Sequence, residues 1–129
     1  AVRLDPGEEI IASVLKIAKD EDIRFAEISA IGAVGRAVFG LYDLEEQKYH
    51  SLTFVQPLEL VSLNGNLSRK DGEPYLHLHA AFADEKGAVI GGHLNEAVIS
   101  ATCEMFIKIF DIDMGRRISE QTGLNIFDI

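Results

Sequence analysis

Residues 75–94 read YLHLHAAFADEKGAVIGGHL and contain three of the four histidines of the chain. Leucine and histidine alternate at the start of this stretch, and apolar and polar residues that alternate with a period of two are typical of a β-strand. The four residues DEKG then separate this run from a second β-like run. The stretch therefore predicts a β-hairpin, with strands at residues 75–83 and 88–94.

The register of this hairpin decides whether the three histidines meet. His77 and His79 share a face, because successive strand residues point to opposite sides. If residues 84–87 form a type I turn with Gly87 in the left-handed conformation, His79 pairs with His93. Their Cβ atoms would lie about 5 Å apart, with His77 a diagonal neighbour at about 7 Å. A two-residue loop would place His93 opposite Leu78, on the wrong face, and the glycine at position 87 favours the first register.

Three converging imidazoles indicate a metal site. Neutral imidazole suits a borderline cation such as Zn²⁺, and three protein ligands leave a coordination position open for a small molecule or a group from another subunit. We therefore predict a zinc site formed by His77, His79 and His93. The alternative is that His77 and His79 are ordinary half-exposed strand residues and that His93 only forms a hydrogen bond near a turn. His50 lies in a polar stretch and is predicted to be a surface residue.

Upstream of the hairpin, the sequence predicts an amphipathic helix over residues 6–19. Asp5 is a suitable N-cap, Pro6 suits the first helical position, and Glu8 is placed as in a capping box. Apolar residues at helical spacing follow on one side. These are Ile10, Ile11, Val14, Leu15, Ile17 and Ala18.

Most of the remaining chain has the pattern of short β-strands. The β-like runs are residues 24–29, 37–42, 52–54, 58–63 and 98–110, and a turn at Thr122-Gly123 precedes a last short run at residues 124–127. With 129 residues and no linker or repeat, the chain is predicted to form one domain, residues 1–129. The predicted fold class is α+β, a largely antiparallel β-sheet packed with the N-terminal helix.

Composition limits the partners and the compartment. The net charge is −9, which opposes binding to nucleic acid phosphates, so DNA binding is not favoured. No apolar run is long enough for a membrane helix and no signal peptide pattern is present, so we expect a cytoplasmic protein without membrane association. The single cysteine, Cys103, lies in an apolar run and is predicted to be a buried thiol.

Several other residues near the hairpin are candidates for supporting roles. Gly91 and Gly92 lie inside a predicted strand, where they indicate either a bulge or a close approach of another backbone or ligand. Glu96 and Glu104 are candidates for a carboxylate that orients a ligand or acts as a base, although simple alternation from His93 places Glu96 on the opposite face. Solvated strand carboxylates are the alternative for both.

Taken together, these segments resemble the PPC (plants and prokaryotes conserved) domain family, in its stand-alone prokaryotic form. The residues that carry the resemblance are Arg3-Leu4-Asp5-Pro6-Gly7-Glu8, Ile31-Gly32-Ala33-Val34, residues 57–66 (PLELVSLNGN), Leu76-His77-Leu78-His79-Ala80 and Gly91-Gly92-His93-Leu94. The match runs in order along nearly the whole chain. The double-histidine strand followed by Gly-Gly-His-Leu is its most specific part.

The resemblance implies an α+β fold, a homotrimer and a metal site on His77, His79 and His93. Plant members carry AT-hook motifs and bind DNA, whereas this chain has no Arg-Gly-Arg-Pro hook and is acidic. Three functions therefore stay open: a metal-dependent enzyme or small-ligand sensor, a trimeric interaction module, and a DNA-associated regulator.

Because metal ligands must be neutral, we also expect acid to release the metal below the reference imidazole pKa of about 6.5.

Overall fold

Four long antiparallel strands form the framework of the protein. The computed structural model describes residues 1–129. In chain order the elements are β1 (Val2–Leu4), α1 (Ile10–Asp20), β2 (Ala26–Asp43), β3 (Lys48–Lys70), β4 (Glu73–Ala83), β5 (Val89–Ile109), β6 (Arg116–Ile118) and β7 (Asn125–Phe127). The predicted α+β class, with one N-terminal helix and a largely antiparallel sheet, is confirmed.

The long strands close into a ring. β2 pairs with β3, β3 with β4, β4 with β5, and β5 returns to β2, while β1 pairs with β5. Register shifts interrupt the pairing of β2 with β3, of β2 with β5 and of β3 with β4, as between Val34 and Arg36 of β2. The sequence predicted separate short strands at 24–29 and 37–42, at 52–54 and 58–63, and at 88–94 and 98–110. Each of these pairs is one strand, because β-bulges let a strand bend without ending.

The core lies on one face of this sheet. Its members are almost all apolar, and α1 adds Ile10, Val14 and Ala18, which are spaced four residues apart along one side of the helix. On β4, Leu78 and Ala80 are also buried. Since neighbouring strand residues point to opposite faces, His77 and His79 lie on the face away from the core.

The helix begins later than predicted. The sequence indicated a start at Pro6, but α1 starts at Ile10, and Glu9 is the N-cap, whose carboxylate accepts from the Ile11 and Ala12 amides. Gly7 has φ +91°, which a helix does not permit. The backbone of residues 7–9 instead pairs with β5, and the Gly7 amide donates to the Ile99 carbonyl at 2.9 Å. A long-range pairing therefore overrides the local capping pattern.

A bulge at Asn95 changes the side of Glu96. Val38 pairs with Glu96 and the next residue of β2, Phe39, pairs with Leu94, so Asn95 is the extra residue. The expectation that alternation from His93 places Glu96 on the opposite face was wrong for this reason. Arg36 Nε donates to Glu96 Oε1 at 2.5 Å, so this carboxylate forms an ion pair.

The C-terminal tail forms a hairpin that folds back onto the sheet. β6 pairs with β7, and Gly123 has φ +73° in the connecting turn, as the predicted turn and last strand require. The Arg69 amide donates to the Met114 carbonyl at 2.9 Å and ties the tail to β3. The only helix has 11 residues, and none in the structure is long and apolar enough to cross a membrane.

Candidate metal site

The turn between β4 and β5 sets the register that brings the histidines together. Gly87 has φ +77° and its amide donates to the Asp84 carbonyl at 2.9 Å. The Asp84 amide donates to the Ala88 carbonyl at 3.0 Å, so these two residues pair at the end of the hairpin. His79 is then the direct partner of His93. The register predicted from the sequence is confirmed.

The three imidazoles converge on one point of the sheet surface. Their ring centroids are 5.2 Å apart for His77 and His79, 5.2 Å for His77 and His93, and 5.4 Å for His79 and His93. One nitrogen of each ring lies within 4.8 Å of the others. His77 and His93 are half-buried and His79 is exposed, so the cluster opens to solvent on one side.

The donor set fits a transition metal. The Nε2 atoms of His77 and His79 are 3.3 Å apart. Ligands at the usual Zn–N distance of about 2.0–2.1 Å in a tetrahedron are separated by about 3.4 Å, so this pair already has the spacing that a zinc ion requires. No carboxylate or thiolate belongs to the cluster. Three imidazoles without an acidic ligand favour zinc and similar borderline ions over magnesium or calcium.

Burial keeps two of these imidazoles in the neutral form that a metal needs. Desolvation, together with the positive charges that His93, His79 and Arg116 would present, lowers the pKa of His77 to about 4. Desolvation and the neighbouring His79 also lower the pKa of His93. Protons therefore compete for the His77 ring at lower pH than the reference value of about 6.5 suggests.

Tyr49 of β3 supports His93 from the side. Its hydroxyl donates to the His93 main-chain carbonyl at 3.0 Å, and the two rings meet edge to face with centroids 5.6 Å apart. Burial raises the pKa of this phenol. Sequence reasoning missed Tyr49, because its distance along the chain from His93 gives no sign that the β2–β3 hairpin brings it there.

Arg116 of β6 lies beside the site on the side of His77. Its guanidinium donates through Nε to Ser68 Oγ at 2.7 Å and through Nη2 to Asn66 Oδ1 at 2.7 Å. Asn66 is the direct partner of His77 across β3 and β4. Sequence reasoning missed Arg116, because no local pattern relates it to Asn66 or His77.

The two glycines before His93 allow close contact between backbones. A Cβ at Gly91 would lie 2.1 Å from the Ala80 carbonyl oxygen, and one at Gly92 would lie 2.5 Å from that of Gly40. Pairing with β4 runs through both glycines without a shift. Of the two possibilities left open by the sequence, the close approach of another backbone is therefore correct.

A shallow hollow of about 330 Å³ adjoins His79. Ser62 and Asn64 of β3 line it together with small residues of β4 and β5, and Val89 and Ile90 add apolar surface. Asn64 Nδ2 donates to Ser62 Oγ at 2.6 Å. The hollow gives a ligand at the three histidines space to extend along the sheet.

The fourth histidine, His50, and the single cysteine, Cys103, do not belong to the cluster of three histidines. His50 is exposed, as predicted, and its Nε2 lies 3.1 Å from Glu46 Oε2. Asp43, Glu46 and His50 form a second set of side chains that could hold a metal ion. In this set, Asp43 Oδ1 already accepts from the Glu45 and Glu46 amides. Cys103 is fully buried, as predicted, and burial beside Glu104 raises the pKa of its thiol to about 11.

Two archaeal structures are close to this one. A metal-containing protein from Archaeoglobus fulgidus is 37% identical, with a TM-score of 0.90, and the match covers 98% of this chain and 89% of that one. A plant- and prokaryote-conserved (PPC) protein from Pyrococcus horikoshii is 32% identical, with a TM-score of 0.91 over 99% of this chain and 89% of that one.

A bacterial structure and a curated bacterial sequence are also similar to this chain. A structure from Bacteroides thetaiotaomicron, named as a candidate DNA-binding protein, is 26% identical with a TM-score of 0.95, covering 98% of this chain and 88% of that one. Among curated sequences, the bifunctional protein GlmU of Synechococcus is 32% identical over 108 residues. That match covers 82% of this chain but only 16% of GlmU, so the chain spans a small part of that relative.

The family assignment follows from the match over most of the chain. Residues 1–111 match the family described as the Plants and Prokaryotes Conserved (PCC) domain. The three histidines lie inside the matched range, whereas the hairpin of β6 and β7 lies beyond it. The chain belongs to the PCC domain family.

Proposed function

We propose that this protein binds one divalent transition metal ion per chain, zinc by preference, through His77, His79 and His93, and that the ion binds a small ligand or substrate. The observation that carries the proposal is the convergence of three imidazoles from two rigid, paired strands. The metal content named for the Archaeoglobus relative supports it.

The arrangement leaves room for chemistry at the ion. Three ligands on one side of a tetrahedral ion leave one position for an external group, and His79, the exposed member of the cluster, also lines the adjoining hollow. A bound zinc ion would act there as a Lewis acid that polarises an oxygen of the ligand. The residues of this chain hold the ion, keep His77 and His93 neutral, and give the ligand space along β3 and β5.

Elemental analysis tests the metal site directly. Protein purified without an affinity tag should contain about one metal ion per chain at pH 7.5, and alanine substitution of any one of the three histidines should reduce this content at least about tenfold. The reason is that two remaining ligands leave the ion under-coordinated. Zinc should also raise the melting temperature of the wild-type protein, since a ligand that binds only the folded state stabilises it.

His50→Ala is the matched control, because it removes the one histidine outside the cluster. This variant should keep the wild-type metal content. Full metal content in His93→Ala would contradict the site, since His93 is the ligand that only the hairpin register supplies. An interaction module without a metal would then be the better interpretation.

We further propose that the protein is a homotrimer, as the family resemblance implies. Ile31, Val61 and Phe106 line one hollow on the outside of the sheet. Their side chains are 58%, 45% and 66% exposed, and β-sheet monomers seldom leave such a cluster in water. A closed assembly of identical subunits would cover this apolar patch.

Light scattering of the wild-type protein and of Phe106→Glu tests the assembly. We expect a mass about three times that of the 14.2 kDa chain for the wild type and a smaller mass for the variant, because a carboxylate inside an apolar interface is costly. Ile129→Glu is the control at another exposed apolar residue, outside the patch, and should leave the mass unchanged. A wild-type monomer at micromolar concentration would rule the trimer out.

A second candidate function is DNA-associated regulation, which the name of the Bacteroides relative favours. The charge of this chain opposes it, since acidic residues outnumber basic ones by 21 to 12. We therefore place metal-dependent binding of a small ligand first.

A further inference from the structure

Arg116 is the one arginine of the chain without an acidic partner. The other five each lie within 4.0 Å of a carboxylate; the pairs are Arg3 with Asp5, Arg24 with Asp22 and Asp113, Arg36 with Glu96, Arg69 with Asp22, and Arg117 with Asp128. Arg116 contacts only neutral groups, although the chain has 21 acidic residues. A half-buried cation without a counter-ion attracts an anion from solution.

Neutral contacts fix the guanidinium in place. It lies between the rings of Tyr75 and Phe127, with its central carbon 4.6 Å from each centroid. In addition to the bonds to Ser68 and Asn66, Nη1 donates to the Asn125 carbonyl at 2.9 Å. These bonds use three of the five N–H groups of an arginine, so two donors are free for a ligand. The group is positioned in advance and loses little entropy on binding.

The proposed metal site beside it also lacks negative charge. Its three ligands are imidazoles, so a divalent ion would keep its full charge of +2, and Arg116 adds +1 to give +3 in this region. The protein as a whole carries −9. A local excess of positive charge on an acidic protein selects for an anionic ligand.

The two positive groups are close enough for one small molecule. Tyr75 lies under the guanidinium, and His77 follows two residues later on the same face of β4, a step of roughly 7 Å along a strand. Asn66 links the two sides, because it accepts from Arg116 and pairs with His77. A single carboxylate could then direct one oxygen to the guanidinium and the other to the metal ion.

We propose that the ligand of this site is a small organic carboxylate, which Arg116 and the metal ion hold jointly. The inference rests on the proposed metal site and names the chemical class of its ligand. Arg116 acts as the residue that recognises the carboxylate, and the hairpin of β6 and β7 brings it to the site. The closeness of Arg116 to His77 favours a small acid.

Calorimetric titration of the zinc-loaded protein with acetate tests the inference, with acetamide as the neutral molecule of the same shape. Acetate should bind the wild type at least about tenfold more tightly than acetamide, because guanidinium and metal both act on its charge. Arg116→Met, which keeps an unbranched side chain between the rings, should weaken acetate binding about tenfold or more. Arg117→Met removes the same charge from the neighbouring exposed position and should change the affinity less than about twofold.

Metal analysis of each variant before the titration separates the two possible failures. Absence of metal from the wild-type protein would contradict the proposed function itself. Normal metal content with equal acetate affinity in wild type and Arg116→Met would overturn only the present inference, as would equal binding of acetate and acetamide by the wild type. If Arg116→Met does not fold, Arg116→Lys, which keeps the charge, should still prefer acetate to acetamide, and loss of that preference with metal bound would also overturn it.

Discussion

The half-buried imidazoles of the cluster link metal binding to the acid stability of the protein. In the absence of metal, burial disfavours a proton on the His77 ring, and two neighbouring imidazoles and Arg116 disfavour it further. The unfolded chain has no such restriction. The same packing that prepares His77 for a metal therefore makes the metal-free fold sensitive to acid.

We predict that the metal-free protein loses stability as the pH falls from about 6.5 to about 4. The folded pKa of His77 is about 4, below the reference value of about 6.5, so in this window the unfolded state binds more protons and the free energy of unfolding decreases with falling pH. This contribution is fully present above pH 6.5. Urea unfolding of the metal-free wild type and of His77→Gln at several pH values measures the difference.

The glutamine variant should show a weaker dependence on pH in that window and a similar one above it. Exposed carboxylates whose pKa is lowered by hydrogen bonds, such as Asp43 and Glu73, also destabilise the fold in acid. They are the same in both proteins and cancel in the comparison. Identical pH dependence of the two proteins would mean that His77 takes up its proton equally in the folded and unfolded states.

The β4–β5 hairpin could be predicted because the residues that define its register lie close together in the sequence. Gly87 and the alternation of leucine and histidine lie within the hairpin, and together they define which residues face each other. The start of α1 was not predictable in the same way. One hydrogen bond of the predicted capping box does form, since Glu8 accepts from the Asp5 amide at 2.6 Å. The helix nevertheless begins later in the chain, because residues 7–9 pair with β5.

The turn itself gives the second prediction. Gly87→Ala should lower the free energy of unfolding by about 1 kcal/mol, because φ at this position is +77° and a residue with a Cβ adopts that region at a cost. The space around the new methyl group is open, so a clash contributes nothing. Chemical unfolding of metal-free protein measures this loss.

Lys86→Ala is the matched control one residue earlier in the same exposed turn. Lys86 contributes only its main-chain amide to the turn, where it donates to Asp84 Oδ1 at 2.8 Å. The free energy of unfolding of this variant should therefore differ from that of the wild type by less than about 0.5 kcal/mol. Zinc content should remain normal in both variants, since the Asp84 bonds and the ladder of β4 and β5 keep the register. Equal stability of the two variants would show that the left-handed glycine is not required.

The position of Arg116 depends on long-range contacts, and such contacts could not be predicted from the sequence. The C-terminal tail contacts β3, where Arg116 reaches Ser68 and Asn66, and each of these contacts joins residues about 50 positions apart in the chain. No periodicity or short motif encodes such a contact. The histidines could be found because a two-residue period and one turn relate them, whereas Tyr49 and Arg116 depend on the closed ring and on the docked tail.

The charge of the whole molecule gives the last prediction, which concerns DNA. A single chain carries −9, and a homotrimer would carry three times that charge, so phosphate backbones meet net repulsion at long range. Lys16, Lys19 and five of the six arginines are already paired with carboxylates, so only five of the twelve basic residues are left to replace the counter-ions of a duplex. We expect no sequence-selective binding in a titration of fluorescent duplex DNA at about 150 mM salt, and only weak binding at about 20 mM salt. Nanomolar, sequence-selective binding at the higher salt concentration would contradict this prediction. DNA-associated regulation would then be the better interpretation, and the metal site would have a structural role.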